Sequence, residues 1–246
     1  MSKQKTDSYF LSSICILRAS QHKTTMLEHF NNAYSRRSKD IGGVNPFLCH
    51  PDEVKYRQYG ALISDTLADK ELVHAGTPVE IDLKAHTAKI MKVWEVLGVE
   101  TESSNTKITL NKSWLAPKLE ATDVVMVVPS SISGTGKGVV AGTVTDNQDG
   151  TISITVATAN IDSVAAGDFL TIAAEAGSDK ALKVKANSVF TRDLYAGNGQ
   201  NFVDIPRGEL YCYVNTVNGI PAAVIAAARE IGLFIEPEYF AEVSNS

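Results

Sequence analysis

The stretch that decides the fold is Val124–Val156, VVMVVPSSISGTGKGVVAGTVTDNQDGTISITV. It begins as an apolar run and enters a glycine-rich loop with a lysine, which is the outline of a nucleotide-binding P-loop. A Walker A loop requires G-x-x-x-x-G-K-[ST], so that glycine backbone approaches phosphate, lysine reaches the outer phosphates and a hydroxyl holds magnesium. Aligned on Gly136-Lys137, Ser131 stands where the first glycine belongs and Gly138 where the hydroxyl belongs. The loop must also open a helix whose N-terminal amides face the phosphates. Here it runs instead into Val139–Val144, the first arm of an alternating pair. That pair flanks Asp146-Asn-Gln-Asp-Gly150, and Asp-Gly supplies the φ > 0 position of a hairpin tip. The segment therefore reads as antiparallel strands joined by turns, with no nucleotide site. On this reading Gly134, Gly136 and Gly138 provide flexibility and Lys137 is a solvated tip charge. Val140, Gly142 and Val144 form the hairpin's inward face opposite Ile152, Ile154 and Val156.

The strand pattern extends both ways from this segment. Val79, Ile81 and Leu83 alternate, and Ala88–Leu97 is a second β-rich run. Lys107–Leu110, Asp123–Val128, Val139–Val144, Thr151–Val156 and Phe169–Ile172 follow as short strands between turn residues. Five strands at this spacing read as a small antiparallel barrel or sandwich. Leu182–Lys185, Ser188–Leu194 and Glu209–Val214 continue the pattern, and Tyr56–Leu67 suits either a strand or a short helix. Pro221 then starts a helix that runs through Ala222, Val224, Ile225, Ala228 and Ile231 to a stop at Gly232, with a last strand at Leu233–Glu236. The predicted class is mainly β (α+β) with one C-terminal helix.

Composition sets the outer bounds. With 246 residues, 44% hydrophobic and 21% charged, the chain has the balance of a folding globular protein. Residues 1–60 hold nine Lys or Arg against five Asp or Glu, a charge of +4, while the remaining 186 hold 14 against 23, or −9. The polar, irregular N-terminal part reads as a basic arm on an acidic body. It suits docking on an acidic surface or nucleic acid, and scattered solvated charge accounts for it equally. Arg36, Arg37 and Lys39 are its densest cluster. Phe30, Tyr34 and Phe47, with Tyr9, Phe10 and Tyr56, are the interface anchors such an arm would use, or residues packing on their own domain. Cys15, Cys49 and Cys212 are odd in number and widely spaced, so no disulfide framework is expected. No signal peptide and no run of roughly 20 apolar residues is read, and the chain is expected to be cytosolic when made.

Motifs for catalysis are scarce. His22, His29, His50, His74 and His86 show no metal-ligand spacing, and Cys49-His50 are neighbours that a strand would point apart. There is no G-x-S-x-G elbow. Asp162, Asp168 and Asp193 lie near loop ends without the ligand spacing of a calcium loop. The expectation is a non-enzyme with no catalytic, cofactor-binding or metal residues. Trp94 and Trp114 are the candidates for a carbohydrate platform, and both sit in patterns that suggest burial.

One group of motifs is more specific. Gly76-Thr-Pro-Val79 opening an alternating strand, Leu119–Met126, the Asp-Gly hairpin and Val164-Ala-Ala-Gly-Asp-Phe-Leu170 resemble head-decoration, head-fibre and auxiliary capsid proteins of tailed bacteriophages. The tail Arg207–Val214 with Ile220-Pro221 and an Ala-rich helix is similar to the closing segment of such proteins in phages of gut Bacteroidetes. The resemblance spans about two thirds of the chain, residues 76 to 240. It implies a β-rich core of residues 61–102 plus 185–246 with the C-terminal helix, and a β-barrel of residues 103–184 inserted into it. The arm, residues 1–60, has no counterpart. The implied function is a virion structural protein that binds the capsid surface and stabilises or extends the head. Its expected partners are the major capsid protein, other virion proteins and further copies of itself as a homo-oligomer. Neither nucleic acid nor membrane is expected as a partner, and the host cytoplasm is the place of assembly. Arg36, Arg37 and Lys39 would dock the arm. A tail, neck or fibre-anchoring component and a carbohydrate-binding β module are the alternatives.

Overall fold

The computed structural model describes residues 55–68, 71–112, 117–197, 200–213 and 219–238, all of them within one compact unit, Asn45–Ser246. The arm residues Phe30, Tyr34, Arg36, Arg37, Lys39 and Phe47 lie outside the described residues, as does Trp114.

The fold is mainly β with one helix. Its largest part is an eight-stranded antiparallel sheet. The strands are β6 (Val93–Glu102), β7 (Asn105–Asn111), β8 (Val124–Val127), β9 (Thr135–Val140), β10 (Val144–Asp146), β11 (Thr151–Ala157), β12 (Phe169–Ile172) and β13 (Gly177–Ala181). They lie in the order β10-β11-β7-β6-β12-β8-β9-β13. The long β6 serves two neighbours. Its start pairs with β12, Trp94 against Leu170, and its end pairs with β7, Val99 against Ile108. A register shift between Val96 and Gly98 bends the strand at the changeover, and the sheet curls into a half-barrel.

The centre of this sheet is buried on both faces. Cross-strand partners share a face and successive residues alternate. Trp94, Leu170, Ile172, Val125 and Val127 therefore join one core, with Ile108, Leu110, Ile152, Ile154 and Val156 from the curled strands. Val93, Met126, Val124 and Phe169 face the other way, into a second core with Met91, Leu182, Leu210, Val224, Leu233 and Ile235. Two cores on two faces explain why Val124–Val128 is continuously apolar.

The second core is closed by a parallel unit. Strand β17 (Pro206–Tyr213) leads to helix α1 (Ala222–Glu230) and back through β18 (Leu233–Glu238), which pairs parallel with β17, while β1 (Lys55–Tyr56) adds a short antiparallel edge. The helix starts behind Pro221 at φ −57° and buries Ala223, Val224, Ala227 and Ala228 on one side. Small side chains on that face let it lie close to the sheet. Gly232 at φ +82° turns the chain out of the helix and accepts from the Gly208 N–H.

A third core, with Ala61, Val79, Ile81, Ala88, Phe190 and Val203, sits in a five-stranded sheet. It is built from β2 (Ala61–Ile63), β4 (Pro78–Asp82), β5 (Thr87–Ile90), β14 (Ser188–Val189) and β16 (Phe202–Val203) in the order β14-β4-β5-β2-β16, with β2 parallel to β5. The strands β3 (Leu72–Val73) and β15 (Leu194–Tyr195) form a separate pair.

Several sequence expectations need correction. Val139–Val144 is not one strand: Gly142 at φ +68° separates β9 from β10, so Val140 is 48% exposed rather than inward. The hairpin itself stands, with Val144 opposite Ile154 and Gly150 at φ +85°. Ala88–Leu97 is two strands with Met91-Lys92 at the joint, and Leu182 makes an isolated bridge to Ala173 where a strand was expected. Gly136 and Gly138 are not flexible loop residues but strand residues of β9. A Cβ at Gly136 would lie 2.7 Å from Asp162 Oδ2, and one at Gly138 would overlap the Glu175 carbonyl oxygen.

These contacts separate two kinds of glycine. Gly138→Ala forces backbone apart in a packed strand and is expected to destabilise the protein by about 1–3 kcal/mol. Gly98→Ala, with open space around its Cβ and no positive φ, is expected to change stability by less than about 0.5 kcal/mol. Urea midpoints of the two variants check this, and equal losses would show that strand packing does not dictate Gly138.

Candidate functional site

The carboxylates that the sequence offered as candidate ligands are engaged by backbone. Asp162 Oδ2 accepts from the Lys137 N–H at 2.7 Å, Asp168 Oδ2 from Ala165 N–H at 2.8 Å and Asp193 Oδ1 from Ala75 N–H at 2.7 Å. Each fixes a loop or strand that carries no regular partner for that amide. Lys137 is also not a solvated tip. It lies in β9, half-buried, with Nζ donating to the Ala159 carbonyl at 3.1 Å. The glycine-lysine stretch is thus part of a strand, between β8 and β13, that is also docked on Asp162 and on the turn at Thr158–Asn160.

The Asp146–Gly150 tip holds itself together in the same way. Asp146 Oδ1 accepts from the Gln148 N–H, its other oxygen takes the Lys112 ammonium, and Asp149 Oδ1 accepts from both the N–H and the hydroxyl of Thr151. The Lys112 hydrogen bond holds the Asp146 carboxyl below its ordinary range, and the Thr151 hydroxyl does the same for Asp149. Among the described residues no group of three or more His, Cys, Asp or Glu side chains is placed to hold a metal ion.

Trp94 is fully buried, and its indole N–H donates to the Pro117 carbonyl at 2.8 Å. It is a core residue and presents no platform. The exposed rings are others: Tyr59 at 65%, Phe202 at 57% and Tyr195 at 55%, with Tyr211 and Phe234 on the outer face of the β1-β17-β18 sheet. Tyr59 stands edge-on to His86, with ring centres 6.1 Å apart.

The structure also contains a cleft of about 480 Å³ where strand ends from the separate sheets converge. Its walls come from the ends of β2 and β5, from Glu71–Pro78, from Pro117-Lys118 and Asp123, from Thr171-Ile172 and Lys183-Val184, and from Gly219. The Gly76-Thr-Pro78 opening singled out in the sequence forms part of it. Gly76 adopts φ +87°, which turns the chain from β3 into β4. His74 lies on this wall with Nδ1 3.8 Å from Asp193 Oδ1, both side chains largely buried. At the rim, Lys118 Nζ lies 2.7 Å from Glu120 Oε1. Their hydrogen bond raises the Lys118 pKa and lowers that of Glu120, to which the charge of Lys92 adds.

Sequence reading did not find this cleft, because its residues come from seven separated segments that no local spacing links. The Gly-Thr-Pro signal was the one legible piece. Comparison with known proteins gives no further guide: no family model, no curated protein and no solved structure matches the chain.

The hairpin tip makes a pH prediction. The folded-state pKa values of Asp146 and Asp149 are lowered from 3.8, so their contribution to stability is complete well above that value. It is lost as pH falls through the lower folded values. Urea midpoints of wild type and Asp146→Asn should therefore differ at pH 6 and converge toward pH 3. A gap that stayed constant over this range would refute the role of the charge.

Proposed function

We propose that this chain is a virion structural protein of a tailed bacteriophage, a decoration or auxiliary protein that binds the capsid surface and acts by binding rather than catalysis. One observation carries the proposal. The acidic side chains that could have formed a reactive constellation, Asp162, Asp168 and Asp193, hold backbone amides of their own fold, while large rings stand exposed on sheet surfaces. Aromatic side chains are among the residue types enriched in the cores of protein–protein interfaces. The resemblance of Gly76–Val79, Leu119–Met126, the hairpin and Val164–Leu170 to head-decoration and auxiliary capsid proteins supports the same reading. So does the charge split, +4 over residues 1–60 against −9 over the rest, which gives one chain two electrostatically distinct ends.

In this reading the basic segment with Arg36, Arg37 and Lys39 docks on the capsid lattice and the β body faces outward. A specific contact of this kind buries on the order of 1,000 Å² or more. Co-sedimentation of the purified full chain with assembled heads tests it. Saturable binding is expected, weakened at least tenfold by the triple reversal Arg36→Glu, Arg37→Glu and Lys39→Glu. A chain that binds neither heads nor any other virion protein would sink the proposal. Electron microscopy of particles carrying labelled protein adds the location: label on the tail or neck would replace the capsid assignment.

A further inference from the structure

We infer that the outer face of the three-stranded β1-β17-β18 sheet joins two copies of this chain about a twofold axis. Next-but-one residues of a strand share a face with each other and with their cross-strand partners. On β17 they are Arg207, Glu209 and Tyr211, all exposed. Lys55 of β1 stands opposite Arg207, while Phe234 and Glu236 of β18 stand opposite Glu209 and Tyr211. The face therefore passes from a basic row, Lys55 and Arg207, to a row of Glu209 and Phe234, and on to Tyr211 and Glu236. Phe234 is 46% exposed and Tyr211, its diagonal neighbour, 39%. Among the described residues Lys55, Arg207 and Glu236 make no ion pair or side-chain hydrogen bond, and the Tyr211 hydroxyl lies 3.4 Å from Glu209 Oε2.

The order of charges selects the occupant. A face built for an unlike partner needs only one sign, whereas this one carries both, in an order that a half-turn inverts. An axis across the strands at Gly208, midway between Arg207 and Glu209, crosses two β17 strands antiparallel. Arg207 of each copy then stands over Glu209 of the other. The same half-turn sets each Phe234 ring over Gly232, which has no side chain and where a Cβ would meet no atom within 4 Å. Because a twofold contact is isologous, each of these pairs is made twice. The rings supply apolar burial at the centre, and the charge pairs fix register and orientation.

This inference is independent of capsid binding, since it concerns the β body and not the arm, and it is read as mass rather than as binding to heads. The test is sedimentation velocity of the full chain over a concentration series at low salt. A reversible monomer–dimer equilibrium is expected. Like charges across the face weaken it, by about tenfold or more in Arg207→Glu and in Glu209→Arg alone. An equal mixture of the two variants restores opposite charges at both contacts, so it should form a heterodimer at least as tight as the wild-type dimer. Phe234→Ser introduced into both members of that mixture should weaken it by about tenfold or more. Circular dichroism melts check that each variant is folded. A monomeric wild type, single reversals that leave its mass distribution unchanged, a mixture that fails to associate, or a mixture indifferent to Phe234→Ser each overturns the inference.

Discussion

The structure depends on one constraint: a short patch of sheet, β6-β12-β8, is buried on both faces by two different cores. Trp94 and Leu170 face the core enclosed by the curling strands, while Val93 and Met126, one residue along, face the core under helix α1. A strand in this position tolerates no polar side chain unless its hydrogen bonds are met. Thr171, 1% exposed, meets that condition through the Lys92 carbonyl. Each fully buried large apolar side chain here contributes about 1.5–3 kcal/mol. The patch therefore couples the half-barrel to the parallel β17-α1-β18 unit, since loss of a strand in it would open both cores.

The double burial shapes the rest of the sheet. Strands β7 and β11 continue the curl beyond β6 and largely return to alternation, with Ser153 on the outer face of β11 buried and hydrogen-bonded to Asn147. Ile108 and Leu110 are buried between exposed Lys107 and half-buried Thr109, and Ile154 and Val156 flank exposed Thr155. The changeover occurs inside β6 itself. Val93–Val96 is largely buried, and after the register shift at Gly98 the strand ends in exposed Glu100–Glu102. One strand thus carries both patterns, with the bend lying where the environment changes.

Much of this was legible in the sequence wherever the signal was local. The strands at Lys107–Leu110, Thr151–Val156 and Phe169–Ile172, the Asp-Gly hairpin and the helix between Pro221 and Gly232 all announce themselves within a few residues, through alternation or punctuation. What was not legible depends on partners distant in the chain. Gly136 and Gly138 read as flexibility because glycine-rich composition signals loops, yet Asp162 and Glu175 press on them across the sheet. The parallel pairing of β17 with β18 and of β2 with β5 leaves no trace in period or composition. Glycine next to lysine was ambiguous on its own, and only the strand after it distinguished a ladder from a phosphate loop.

The same distinction accounts for the candidate site. A strand or turn is specified by neighbours in sequence, but a cleft at the junction of sheets is specified by where strands end. Lys92 follows β5, Lys183 follows β13, Lys118 precedes β8 and Gly76 lies between β3 and β4. At such ends the ladder stops and side chains are freed from pairing on both flanks, so polar groups collect there without disturbing the core. The carboxylates in these positions take up backbone amides that the ladder leaves over, as Asp65 does for Ile90 and Asp193 for Ala75. Lysine has no acceptor to offer an amide, so it cannot be spent in this way. Its ammonium group is left to seek an anion elsewhere, as Lys118 finds one in Glu120.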